Sequence, residues 1–305
     1  MIYQNRQPEE GINYSSEHPL KEFLQLLAGI ILVITAVVWC LNLMAGTLAG
    51  YIPFEFEKKM VAGFNFSQLG DLLPTESPSE PSTDLEKQQD STVPEHPHAA
   101  TQQRYLQELA DRLAPGMNLP PGMTITVHYS DTNTVNAFAT LGGNLVFFRG
   151  LIDKIKSEDE LAAVMAHEIA HIKYRHPIVA LGKGLTLATL GIFVSGASGS
   201  KAGEWLIGNS ANLSLLKFSR DQERAADADA AAALIRAYGH LGGAEQLFKR
   251  FSELEGTGLD RAGVIELFRS HPYSEDRWQE LQNLARVHDW QIEGRLTPIS
   301  LSPGQ

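Results

Sequence analysis

Residues 157–174 read S-E-D-E-L-A-A-V-M-A-H-E-I-A-H-I-K-Y, and the fold is read outward from them. Ser157 followed by Glu158, Asp159 and Glu160 is a helix start: a hydroxyl that can accept from a free backbone N–H, then acids near the positive end of the helix dipole. Leu161, Met165, Ile169 and Ile172 recur at helical spacing and predict an apolar stripe on a helix over 158–174. His167 and His171 are four apart, so their imidazoles leave the same face one turn apart and can grip one ion. Glu168 points beside them.

In H-E-x-x-H zinc peptidases this glutamate is not a ligand and stays free to take a proton from water at the ion. Two histidines do not complete such a site, because three protein ligands plus water are usual. The continuation after His171, I-K-Y-R-H-P, lacks the glycine and histidine that metzincins place there. His176 falls where Pro177 ends the helix and reads as a neighbour of the site or a surface residue rather than a ligand. A second helix, opening S-R-D-Q-E-R-A-A-D at 219–227, puts Glu223 and Asp227 one turn apart on one face. The alanine-rich run that follows permits close approach to the histidine helix; a solvated face of i,i+4 ion pairs is the other reading of the same residues.

On the amino-terminal side, Tyr105, Leu106, Leu109 and Leu113 predict a helix stopped by Ala114-Pro115-Gly116. Residues 123–129 and 144–148 alternate as strands, with a short strand expected within 135–140 and a turn at Gly142-Gly143. Beyond 174, helices are expected from Pro177, over 219–238, 243–254 and 275–287. The uncharged stretch 184–200 is short and rich in Gly, Ser and Thr, and is expected to lie buried in the domain or against a membrane rather than to span one. His128, His240 and His288 read as structural, and His96 and His98 as solvated chain.

The first hundred residues are different in kind. After an arm at 1–22, no charge occurs in 23–54, long enough for a membrane-spanning helix contacting lipid. A cleavable signal or a buried core helix are the alternatives, but the preceding arm is not basic and the segment exceeds a signal h-region. Arg6 and Lys21 on one side balance Lys58 and Lys59 on the other, so flanking charge does not orient it. Residues 55–101 are then expected as an interfacial segment or a stem with Phe56, Phe64 and Phe66, followed by a Pro/Ser/Glu/Gln linker too polar to order itself, a disordered tether. This segment carries −6 of the chain's net −11. The acidic balance argues against a nucleic-acid binder. The single cysteine, Cys40, lies in the apolar segment, so no internal disulfide forms and the site must be built from histidine and carboxylate.

H-E-I-A-H followed by S-R-D-Q-E-R-A-A-D resembles the M48 family of zinc metallopeptidases, over about residues 102–290. The resemblance implies a single zinc ion held by His167, His171 and Glu223, with Asp227 supporting the site from behind the ligands. It also matches Asn136-Ala137-Phe138 to the family's element before the catalytic helix, and His271-Pro272 with Arg277 to a later one. Chemically, Asn136 on an edge strand can hold substrate backbone, although a turn asparagine reads the same way. His271 or Arg277 can donate to the oxyanion, and Asp227 can orient a ligand imidazole.

The expectation is therefore a mainly helical α+β domain of the zincin type over 102–293, with a small β-sheet, a preceding transmembrane helix and a tail at 294–305. It would be an endopeptidase acting on protein or peptide substrates, with Glu168 as base. Unfolded or misfolded membrane or envelope proteins are the implied substrates, and a bacterial inner membrane with a periplasmic domain the implied place. The rival is a non-proteolytic chaperone or assembly factor that keeps the zinc for stability; the intact Glu168 argues against it.

Overall fold

The computed structural model describes residues 19–49, 51–67, 99–182, 184, 218–255, 271 and 274–299. Residues 185–200, the linker histidines, Pro272 and residues 300–305 lie outside them. In helix α1 (Pro19–Ala49) the Leu20–Cys40 portion is long and apolar enough to cross a membrane. A short helix α2 (Phe54–Met60) follows, then α3 (Ala99–Leu113), closed by a 3₁₀ turn over Ala114–Met117.

Strands β1 (Thr126–Ser130), β2 (Ala137–Ala139) and β3 (Asn144–Phe148) form one sheet in the order β1-β3-β2. β1 runs parallel to β3, with Thr126 opposite Asn144, and β2 runs antiparallel to it, with Phe138 opposite Val146. The expected first strand thus begins three residues late, because residues 123–125 belong to the loop against which Gly143 packs. A Cβ on Gly143 would sit 1.9 Å from the Thr124 carbonyl oxygen, and φ of +83° there suits only glycine. The β1 edge is closed by α3: Gln107 and Gln103 accept from the Val127 and Tyr129 N–H groups. β2 is the other edge: among the described residues no strand lies beyond it, its three residues are buried, and its Ala139 N–H donates to Glu168.

After α4 (Arg149–Ile152) comes α5 (Glu158–Lys173), the axis of the domain. Ser157 caps it by accepting from Glu160 N–H, as its sequence predicts. The apolar stripe, however, extends right round the helix, and every residue from Glu158 to Ile172 is buried. Ala162, Ala163, Ala166 and Ala170 leave room for α6 (Arg220–Tyr238), which brings Ala226, Ala230, Ala231 and Ala233 into the same core. Small side chains facing each other let two helices pack closely while still burying apolar area. α6 begins with a reciprocal capping box between Ser219 and Gln222. α7 (Gly242–Glu255) and α8 (Glu275–His288) complete the helical layer.

Burial of the first turn of α5 forces its acids to find partners. Glu158 accepts from the Tyr105 and Tyr238 hydroxyls at 2.6 and 3.0 Å and pairs with Arg112 at 2.7 Å. Asp159 accepts from Thr297 N–H, and Arg250 pairs with Glu160 at 2.8 Å. The isolated histidines have structural contacts: His128 bonds Asn144, His240 accepts from Gly242 N–H, and His288 stacks on Trp290.

The expected stem at 55–101 departs from the sequence reading. Glu57 is buried, and Phe66 packs with Phe138, Val146 and Phe148 on the sheet. Helix α3 already begins at Ala99, so the folded body starts on both sides of the linker.

Burial raises the pKa of Glu158, but its bonds to Tyr105, Arg112 and Tyr238 outweigh burial and hold it below the ordinary glutamate value. The folded state therefore favours the carboxylate; its contribution is complete above the unfolded pKa of about 4.3 and is lost as pH falls through the depressed value. Glu158→Gln is expected to cost about 1–3 kcal/mol at neutral pH. In denaturant titrations of the detergent-solubilised chain, the gap to wild type should narrow below about pH 4.

Candidate metal centre

His167 and His171 project from α5 towards α6, which brings Glu223 to meet them. The His171 and His167 Nε2 atoms are 3.0 Å apart. Glu223 places Oε2 3.4 Å from His167 Nε2 and Oε1 3.6 Å from His171 Nε2. Zinc bonds of about 2.0–2.1 Å in tetrahedral geometry require donor atoms about 3.3 Å apart, which these three spacings approach. Two imidazoles and one carboxylate, converging without apolar atoms between them, fit a divalent ion. His271 joins the cluster, with Nδ1 3.0 Å from Glu223 Oε1 and 3.2 Å from His167 Nε2, so that the four residues offer ligand atoms within 4.8 Å of one another.

The surroundings fix each donor. Asp227, one turn after Glu223, lies 3.0 Å from His167 Nδ1, which leaves Nε2 for the ion. His176 is buried and its Nδ1 is 2.8 Å from His171 Nδ1, so it orients the second ligand from behind. Phe218 stacks on the His171 ring at 4.1 Å. Arg277 grips both Asp227 oxygens at 2.7 Å and reaches Glu223 Oε2 at 2.9 Å.

Electrostatics follow from this packing. Burial alone would lower the His167 pKa, but Asp227 and Glu223 raise it to about 10. Burial and the neighbouring His167 and His271 push His171 far below its ordinary value. Burial works against the Asp227 carboxylate, yet Arg277 and His167 hold its pKa below the usual range. Burial also opposes the charged form of Glu223, and His271 and His167 overcome it.

Glu168 is fully buried at the side of the cluster. Its Oε2 accepts from the Ala139 N–H of β2 at 2.8 Å, while Oε1 makes no hydrogen bond among the described residues and lies 3.4 Å from His271 Nε2. Burial raises its pKa, opposed in part by His271 and His167. A buried carboxylate with one oxygen held and one free, and with an elevated pKa, has the properties of a general base. A cavity of about 70 Å³ opens beside Glu168 and His167, walled by Val164, Leu234, Leu247 and Phe248.

The structure thus gathers His167, Glu168, His171, Glu223, Asp227, His271 and Arg277. Asn136 differs from its expectation: it precedes β2, and its side chain is fully buried with neither amide atom hydrogen-bonded among the described residues. Asn136 O and Thr140 N–H bond to β3, so Ala137 and Ala139 turn their backbone groups outward.

Sequence reading missed Phe218 and the Ala139 N–H. Phe218 had left a trace: it precedes the Ser219 cap, where an apolar residue usually packs on the fourth helical position, but that position is Glu223. Its ring therefore had to go elsewhere. Glu223→Ala is expected to abolish tight metal binding while leaving the helical circular dichroism unchanged, and His176→Ala to weaken metal affinity by about 10–100-fold. Metal analysis of the purified variants checks both.

The model of peptidase family M48 matches residues 100–285. The mitochondrial metalloendopeptidase OMA1 of Schizosaccharomyces pombe is 29% identical over 171 residues, 56% of this chain and 48% of that protein. A putative beta-barrel assembly-enhancing protease of Vibrio cholerae is 29% identical over 208 residues, 65% of this chain and 40% of that protein. Protease HtpX of Actinobacillus pleuropneumoniae is 29% identical over 211 residues, 60% of this chain and 73% of that protein. The chain therefore spans half or less of the length of the first two relatives. The family match covers more than half of the chain and includes every residue gathered at the cluster, and the chain belongs to peptidase family M48.

Proposed function

We propose that the chain is a membrane-anchored zinc endopeptidase that cleaves unfolded or misfolded membrane or envelope proteins. The observation that carries this reading is Glu168, buried beside the cluster with Oε2 held by the Ala139 N–H and Oε1 making no hydrogen bond among the described residues. A site kept only for stability has no use for a base there. His167, His171 and Glu223 would hold the ion, which when bound polarises a carbonyl and makes water acidic enough to attack at neutral pH. Glu168 Oε1 would take a proton from the attacking water and pass it to the leaving amine, while the Ala139 N–H keeps Oε2 in place. An extended substrate would lie along the outer edge of β2, where the Ala137 N–H and the Ala137 and Ala139 carbonyls point away from β3 beside Glu168.

His271, rather than Arg277, is assigned to the oxyanion. The Arg277 guanidinium is committed to Asp227 and Glu223, whereas His271 Nε2 has no hydrogen bond among the described residues. His271 Nδ1 at a fourth corner of the cluster favours one other reading, a closed four-ligand structural site, as in the assembly-factor alternative. Two variants separate these. Glu168→Gln should keep its zinc and lose cleavage of an unfolded protein by at least about 10²-fold. His271→Ala should keep its zinc and slow turnover by about 10²–10³-fold. Loss of zinc on His271→Ala, together with unaltered activity of Glu168→Gln, would establish the closed site.

The Leu20–Cys40 apolar stretch supports a single-pass anchor, and the Vibrio relative's name points to an envelope role. Placement in a bacterial inner membrane with the domain in the periplasm is part of the proposal. Protease added to spheroplasts should then degrade the domain; protection would put the site in the cytoplasm.

A further inference from the structure

Helix α1 ends at Ala49, and the chain makes its first contact with the domain almost at once. The Ile52 carbonyl accepts from Arg175 Nη2 at 2.8 Å, and the Ile52 side chain packs on the cluster of Leu141, Ile178 and Leu181. Three residues span at most about 11 Å. Glu57, 4% exposed, then inserts its carboxylate between the residue that follows the cap of α5 and the turn that follows β2. Its Oε1 pairs with Arg175, whose Nε donates at 2.7 Å, and its Oε2 accepts from Gly142 N–H at 3.1 Å. Backbone approach is close here: a Cβ on Gly142 would stand 3.0 Å from Lys58 Cα. Phe66 closes the segment against Phe138, Val146 and Phe148.

Both anchor points lead to catalytic atoms. Arg175 follows the last turn of α5 with φ of +61°, a conformation that costs a non-glycine residue roughly 1 kcal/mol and persists only if its contacts hold it. The next residue is His176, which orients the ligand His171. Gly142 belongs to the turn that follows β2, the strand whose Ala139 N–H holds Glu168. Residues 68–98 connect two points of the same folded body, and a linker so placed does not separate the apolar helix from the domain.

We propose that residues 52–66 are a strap that locks the membrane segment directly to the catalytic domain, with Glu57 and Arg175 as positioning residues for its active site. Residues 68–98 are then an excursion from the domain and not its tether. The active site works at a fixed short distance from the end of α1, on polypeptide presented close to the membrane surface. The activity arm of the test rests on the peptidase reading; the retention arm needs no catalysis.

A specific protease recognition sequence is inserted after Asp84 in the full chain, in membranes of the expressing cell. After cutting, the carboxy-terminal fragment should stay with the membrane and keep its activity, and Glu57→Ala or Arg175→Ala should release it. Release of the wild-type fragment on cutting would overturn the proposal, as would retention that is the same in both variants. Helical circular dichroism of the uncut variants and the milder Glu57→Gln separate loss of the strap from misfolding. Uncut Glu57→Ala should keep its zinc and lower kcat by about 10–100-fold with KM little changed; an unchanged kcat would remove the positioning role. If wild type is retained after cutting but neither wild type nor variant cleaves any substrate, the peptidase reading fails and the strap stands.

Discussion

The Arg277 guanidinium reaches two carboxylates of α6 at once, and the site is arranged around that pairing. Glu223 and Asp227 are both buried, and a buried charge without a partner is destabilising by several kcal/mol. Arg277 supplies the compensating charge from the first turn of α8, which Ser274 caps. With Asp227 held on one side by Arg277, its other contact fixes the His167 ring, and the ring in turn presents Nε2 to the centre. The exposed Arg224–Glu280 pair also ties α6 to α8, but solvent screening leaves such a contact little weight. The central pairing is what orders α5, α6 and α8 around one point.

How much of this could be read from the chain depended on how local each signal was. The α5 helix was legible because cap, acids, periodicity and both histidines all fall within 18 consecutive residues. Its burial on all sides was not, since the alanines that fill the remaining faces look neutral until α6 is brought against them. Glu223 and Asp227 could be placed on one face from spacing alone, but the third-ligand role came from resemblance to a family. Whether His271 or Arg277 meets the substrate was likewise open, because only the fold shows that the guanidinium is already engaged. Asn136 shows the same limit: its place beside a short strand was legible, but its burial comes from tertiary packing, which has no local sequence signal.

The strap was the largest departure. Between 54 and 66, isolated phenylalanines alternate with charges, a pattern that suits an exposed stem. Their partners, Gly142, Arg175, Phe138 and Phe148, lie some 70–120 residues later, beyond any periodicity. Only the paired glycines at 142–143 hinted that another backbone comes close.

Among the described residues no strand lies beyond β2, which is three residues long. Gln103 and Gln107 cover the β1 side, so on the proposed reading substrate would pair where β2 passes Glu168. A chain must be extended to pair there, and a segment inside a folded protein is not. Selection between damaged and intact proteins then need not be written into the site at all. A target with about 5 kcal/mol of stability exposes such a segment roughly 10³–10⁴-fold less often than an unfolded one. The target's own folding equilibrium would set its rate of cleavage.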